Sequence, residues 1–557
     1  MLNAKSIGLA AVLATTGLAA VPKEDCVAGA QRMMDTIKVL SSDEFEGRAP
    51  GTPGEEKSVA YLQDAFTKLG LLPGNPDGTF IQGVPMVGII STTSATFNVG
   101  GRTLSPAIIN DYVAISRHLD PEVKVNASDI VFVGYGVVAP EYGWNDYKGV
   151  DVRGKTVVML INDPPVRDPK DPSKYDDTMF KGKAMTYYGR WTYKYEQASA
   201  MGAAACLIIH ETGPAGYPYA VVAGSFGREN FSLETPDGNA HRVAVEGWMT
   251  LPFAKSLLAA AGFDFDTLKA AAVRRDFVPV DLKIAANISV ANKVRKLASR
   301  NVVAKLEGRD PKVKDEYVIY SAHWDHLGRN PKLKGDQIFN GAWDNGSGIA
   351  AFLEIAREYT TLPEADKPRR SILFIAVTAE EQGLLGSEYY GGHPLYPLTK
   401  TLANINMDGM QNVGYARNME GVGYGNSTLD DIAVAVLKTE DRVLTPETGP
   451  EAGHFYRSDH FEFAKVGVPA FYVNYGHDII GQPAGYGQMR YDEFYAKDYH
   501  KVSDEIKPWW DLRGGAQDAD VLFQIGLIVA DADTWPTWKD GCEFKARREA
   551  MLAAAPH

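Results

Sequence analysis

Acidic and imidazole side chains recur in five short stretches of the C-terminal half: Ser321-Ala-His323-Trp-Asp325-His326, Asn340-Gly-Ala-Trp-Asp344-Asn345-Gly-Ser-Gly348, Thr378-Ala-Glu380-Glu381-Gln-Gly383, Asn406-Met-Asp408 and Tyr499-His500. Adjacent carboxylates such as Glu380 and Glu381 repel each other in a low-dielectric cleft unless positive charge lies close by. Histidine nitrogen and carboxylate oxygen together suit zinc, and one shared carboxylate can bridge two ions. Two ions ~3.5–4 Å apart activate a water and polarise a carbonyl, which is the arrangement of two-metal hydrolysis. Each fragment alone has an ordinary reading: a structural histidine, a solvated Glu-Glu pair, a turn at Asp-Asn-Gly-Ser-Gly. Their joint placement at successive strand ends is what points to a site. Rival chemistries lack their motifs. No Gly-x-Ser-x-Gly elbow is present, nor a His-Glu-x-x-His helix. Gly421-Val-Gly-Tyr-Gly425 misses the third spaced glycine of a dinucleotide loop.

The elements that must position these residues alternate between strand and helix. Strands are expected at 317–321, 371–377, 402–407 and 468–473, with a helix after Gly348, a rhythm that implies an α/β sheet with crossover helices. Ligands of such a sheet bind beyond the carboxyl ends of its strands, so His323, Glu380, Glu381 and Asp408 are expected to converge there. Upstream, residues 31–71 read as helical, broken at Glu46-Gly-Arg-Ala-Pro-Gly51. Apolar residues in 59–69 recur at three- and four-residue steps until Gly70 and Pro73 stop the helix. A strand-like stretch covers 83–90. Between about 102 and 285 the texture becomes β-rich, with Ile130-Val-Phe-Val-Gly-Tyr135, Thr156-Val-Val-Met-Leu-Ile161 and Cys206-Leu-Ile-Ile209 separated by loops. That block reads as an insertion splitting one α/β domain.

The 557 residues are 45% hydrophobic and 23% charged, an ordinary globular mix that excludes a disordered chain. A net charge of −13 argues against nucleic acid, whose binding needs a basic face. Three cysteines exclude a disulfide scaffold and no C-x-x-C pair exists. A basic start at Lys5, an apolar run over 6–20 and a small-residue exit read as an export signal. The run rises only about 22 Å as a helix, short of a ~30 Å hydrocarbon core. No later stretch is apolar enough to span a membrane. The chain is therefore expected to be exported, periplasmic or extracellular, with no membrane contact beyond that signal. In that oxidising setting Cys26 and Cys542 can pair.

At these residues the sequence resembles the co-catalytic dizinc exopeptidases, a family that includes secreted bacterial aminopeptidases and glutamate carboxypeptidase. The resemblance implies a mixed, mostly parallel central sheet with helices on both faces, and two zinc ions as cofactors. By that resemblance one zinc takes His323, Asp344 and Asp408, and the second takes Asp344, Glu381 and His500, with Asp344 bridging and the Asp344–Asn345 peptide cis. Glu380 is then the general base and Tyr499 the donor to the developing oxyanion. Asp325 is expected to orient the His323 ring, and Ser458 and Asp459 to stand beside the site. His326 and His454 are set aside as non-ligands. The middle block resembles the protease-associated domain inserted in such enzymes, on the strength of 132–138, 151–158 and 194–203. The expected organisation is a signal at 1–20, an N-terminal part of the peptidase domain at 21–101, the protease-associated insertion at 102–285 and the catalytic domain at 286–557. The expected activity is exopeptidase hydrolysis of peptides, first as an aminopeptidase. The alternatives are a carboxypeptidase or dipeptidase on the same site, a single-zinc aminoacyl cyclase and a non-catalytic binding module. Oligomeric state is not assigned.

Overall fold

A computed structural model of the chain describes residues 23–555. The expected export signal at 1–20 lies outside the described residues. The chain divides into two units, Met1–Val84 with Ala298–Thr448 and Arg457–His557, and Pro85–Leu297 with Gly449–Tyr456. Both unit boundaries near the sequence limits 102 and 285 fall inside strands, Ile81–Val99 and Val280–Leu306. The expected insertion at 102–285 falls within the second unit.

The first unit is built on a mixed, mostly parallel sheet. Its strand order is Val443–Pro446, Asn418–Val422, Ala470–Asn474, Thr401–Asn406, Tyr317–His323, Ser371–Val377 and then residues 302–306 of Val280–Leu306. Tyr317–His323 is parallel to both of its neighbours, Ser371–Val377 and Thr401–Asn406, so these three strands end on one edge. Every residue of the three strands is buried, because both faces are covered. Val318, Tyr320, Ile372 and Phe374 pack into one core with helices Lys23–Leu40, Pro53–Lys68, Gly348–Thr361 and Arg513–Asp531. The alternate residues Ile319, Leu373, Ile375 and Val377 pack on the other face with Tyr390 and Phe463. Continuous apolar runs are what a parallel sheet covered on both faces requires. Gly526 in the Arg513–Asp531 helix has a particular duty. A Cβ there would stand 1.9 Å from the Tyr320 hydroxyl, which instead donates to the Leu522 carbonyl at 2.8 Å.

The second unit is more α/β than its β-rich sequence implies. Residues 280–291 of Val280–Leu306 pair antiparallel with Glu122–Phe132, followed by Thr156–Leu160, Ala205–His210 and Val245–Thr250 in parallel and Tyr112–Ile115 antiparallel. Helix Trp191–Ala200 buries Tyr195 and Ala198 against this sheet. Cys26, Cys206 and Cys542 are all buried thiols, so the pairing of Cys26 with Cys542 is not made. Cys26 lies on the Lys23–Leu40 helix in the main core, and Cys542 precedes the Lys545–Ala553 helix. Among the described residues no helix is long and apolar enough to cross a membrane.

Candidate metal centre

His323 closes its strand, Glu380 and Glu381 follow Ser371–Val377, and Asp408 follows Thr401–Asn406. Parallel register brings these three strand ends level. Asp344 comes from the irregular turn Ala342–Ser347, in which the Asp344–Asn345 peptide is cis. That turn starts at Gly341 with φ 56°, where a Cβ would meet the Asp344 carbonyl oxygen at 2.3 Å and the His326 ring at 2.6 Å. His500, also at positive φ, follows the helix Tyr486–Lys497.

The side chains meet in a regular pattern. His323 Nε2 lies 3.2 Å from Asp408 Oδ1 and 3.4 Å from Asp344 Oδ1. His500 Nε2 lies 3.3 Å from Asp344 Oδ2 and 3.1 Å from Glu381 Oε2. Asp344 thus offers one oxygen to each imidazole. Donors bound at ~2.0–2.1 Å around a tetrahedral ion stand about 3.3 Å from each other. The four separations fit that spacing. His323, Asp344 and Asp408 could hold a metal ion, and so could a second group made of His326, Asp344 and Glu381.

The electrostatics favour cations. Burial alone would lower the His323 pKa, but Glu380 and Asp408 outweigh it and hold the imidazole well above its ordinary value. Burial also opposes charge on His500, which Glu381 and Asp344 raise to about 10. Asp344 is held well below the usual carboxylate range despite its burial, by His323 and His500. Glu381 falls to about 2 against the same burial penalty, through His500 and His326. Glu380 differs from them. Its Oε2 is 3.9 Å from His323 Nε2, and burial first, then Asp408 and Glu381, push its pKa well up despite the opposing pull of His323. A carboxyl group tuned upward beside carboxylates tuned downward is the pattern of a proton carrier among charged neighbours. Tyr499 stacks on His500 with ring centroids 3.8 Å apart.

The supporting residues divide differently from expectation. The ring of His323 meets the main-chain carbonyl of Asp325, with Nδ1 at 3.1 Å, while the nearer carboxylate oxygen is 3.8 Å away. The Asp325 carboxylate instead accepts the backbone N–H groups of Glu380 at 3.1 Å and Glu381 at 3.4 Å. It therefore shapes the acidic turn, and burial raises its pKa to about 8. Ser458 Oγ accepts from Asn406 Nδ2 at 2.8 Å, and Asp459 Oδ1 accepts from Ser387 Oγ at 2.7 Å. Both residues are buried behind the strand ends. His454 falls in the other unit.

Three further residues support these loops: His326, set aside in the sequence as a non-ligand, and Asp504 and Arg48, to which the sequence assigns no role. His326 is fully buried with Nδ1 2.6 Å from Glu381 Oε1. Asp504 accepts from the backbone N–H groups of Trp343 at 3.0 Å and Asp344 at 3.1 Å. Arg48, buried in the Glu46–Gly51 break, donates to the carbonyls of Trp324, Leu40, Asn340 and Gly341 at 2.6–2.9 Å. It ties the loop after His323 to the loop before Asp344. The only sequence signal was His326, standing in the same short stretch as His323; Arg48 and Asp504 lie about 300 and 160 residues from the loops they hold.

Residues 301–518 match the family described as Peptidase family M28. The matched segment contains His323, Asp344, Glu380, Glu381, Asp408 and His500. The mouse protein "Aminopeptidase NAALADL1" is 38% identical over 125 residues, 22% of this chain and 15% of that protein. "Probable lipoprotein aminopeptidase LpqL" of Mycobacterium tuberculosis is 26% identical over 276 residues, 46% of this chain and 50% of that one. The chain thus spans no more than half the length of these curated relatives. Among solved structures, the aminopeptidase from Aneurinibacillus sp. strain AM-1 aligns over 92% of this chain and 99% of its own, with 20% identity and a TM-score of 0.48.

Proposed function

We propose that the protein is an exported zinc exopeptidase, an aminopeptidase that releases N-terminal residues from peptides with two zinc ions at the strand-end cluster. One observation carries the reading: Asp344 presents Oδ1 to His323 and Oδ2 to His500, with the separations of donors on two adjacent ions. In this reading His323, Asp344 and Asp408 hold one ion, and Asp344, Glu381 and His500 the other. When bound, such ions lower the pKa of a water and polarise the scissile carbonyl.

The chain's own residues do the rest. Glu380 is the general base: its carboxylate takes the proton from water and returns it to the departing amine. Tyr499, fixed against His500 by stacking, is the donor to the oxygen that gains charge. Asp325 holds the Glu380–Glu381 turn and Asp504 holds the Asp344 turn, so base and bridge are set by separate supports. The Pro85–Leu297 unit would be a protease-associated insertion.

The test is hydrolysis of a panel of free-amine, N-blocked and C-blocked peptides, with metal analysis of the same sample. An aminopeptidase loses activity when the amine is blocked and contains two zinc ions per chain. Activity that survives amine blocking but not carboxyl blocking would make the protein a carboxypeptidase.

A further inference from the structure

Glu381 is bordered by two imidazoles, and they do not stand alike. His500 Nε2 is 3.1 Å from Oε2, within the spacing of two donors on one ion. His326 Nδ1 is 2.6 Å from the other oxygen, Oε1, closer than two tetrahedral zinc ligands approach at about 3.3 Å. The His326 side chain is wholly buried, and neither its ring nitrogens nor Glu381 Oε1 has an aligned hydrogen-bond partner among the described residues, so the two meet by close approach alone. Its place is reserved by the chain. Gly341 leaves the room that a Cβ, 2.6 Å from the ring, would take, and the His326 N–H donates to the Arg48 carbonyl at 3.3 Å. A buried polar ring without other engagement is costly, and a fold retains it where it does a task.

We infer that His326 is a positioning residue: it occupies Oε1 of Glu381, so that Oε2 alone turns toward His500 and the ion they share. The inference rests on the two-zinc reading and assigns to that site a support the ligand pattern does not include. Partners that orient a ligand in this way change metal affinity by about 10–100-fold when removed.

The test titrates the metal-stripped full chain with Zn2+ against a chelating dye, and with Co2+ followed by its visible spectrum, for wild type, His326→Ala, His326→Asn and His326→Gln. Asparagine places its amide nitrogen where Nδ1 stands, whereas glutamine reaches toward the Nε2 position. His326→Ala and His326→Gln are expected to weaken one of two ions about 10–100-fold while the other binds as in wild type. His326→Asn is expected to remain near wild type. The cobalt spectrum at saturation should keep its shape in all four, and excess zinc should restore kcat without altering KM. Unchanged affinity in His326→Ala overturns the inference. So does a cobalt spectrum altered at saturation together with no rescue by asparagine, which would make His326 a ligand. A merely structural role would lower thermal stability without singling out one ion, and that result also overturns it. Wild type that binds fewer than two ions would instead sink the two-zinc reading beneath it.

Discussion

In the Pro85–Leu297 unit, buried Asp146 accepts from the Val137 N–H at 3.0 Å and the Trp144 indole at 2.8 Å. Asp163 accepts from the N–H and hydroxyl of Thr186, each at 2.7 Å. Fully buried Lys194 donates to the carbonyls of Tyr135 at 2.5 Å and Asn162 at 3.1 Å. Donors there meet acceptors supplied by the chain itself. At the strand ends of the other unit, Asp344 and Glu381 are as deeply placed, yet three of their four oxygens face imidazole nitrogens at 3.1–3.4 Å, the spacing of metal donors. The difference separates two uses of buried charge. One is closed by hydrogen bonds and maintains a fold. The other gathers carboxylates and imidazoles into groups that could hold a metal ion.

That contrast can be broken most directly at Asp344. Asp344→Ala is expected to abolish tight binding of both ions and, with it, hydrolysis; metal analysis showing two ions held at wild-type affinity would erase the distinction. Next is Glu380→Ala, which should leave metal content unchanged while kcat falls about 10²–10⁴-fold. Activity near wild type in that variant would move the base elsewhere. Chelation comes third. Stripping the ions should lower stability by about 4 kcal/mol for each ion that normally stands ~1,000-fold above its Kd, and added zinc should restore it. An unfolding temperature that stays put while the ions leave would show that the cluster is closed without them.

The smallest effect is expected in the other unit. Lys194→Met should cost about 1–3 kcal/mol by leaving two carbonyls unpaired, with metal content and kcat as in wild type. Loss of ions in that variant would blur the comparison. A pH series sharpens it further. Burial pushes the Lys194 pKa from 10.5 down to about 8, against the pull of Asp163 and Asp146. Between those values the unfolded chain binds the proton that the folded chain has released. Lys194 therefore adds stability as pH rises from about 8 toward 10.5. Denaturant midpoints of wild type should gain on those of Lys194→Met across that window.

The strands that carry the site were legible because their signal is local. Ser371–Val377 carries an uninterrupted apolar run from Ile372 that ends at a polar turn, and the strand forms as expected with its limits unchanged. Tyr317–His323 extends two residues beyond its expected end, taking His323 into the strand. Val280–Leu306 was not legible as one strand, since its residues 293–296, Lys-Val-Arg-Lys, are exposed and carry no alternation of buried and open positions. Helix Arg513–Asp531 is buried almost all round, and its pattern reads as apolar without saying which partner covers it.

What the sequence determined by itself was the chemistry available and the edge on which it gathers. Residue type fixes what His323, Asp344, Glu380, Glu381, Asp408 and His500 can bind, and short-range periodicity fixes where strands stop. The tertiary structure alone decided which atom of Asp325 meets the His323 ring, that His326 backs Glu381, and that Arg48 and Asp504 clamp the loops between. Those contacts join residues whose positions depend on packing of whole strands and helices. No pattern among chain neighbours encodes a distance between residues that only the folded core brings together.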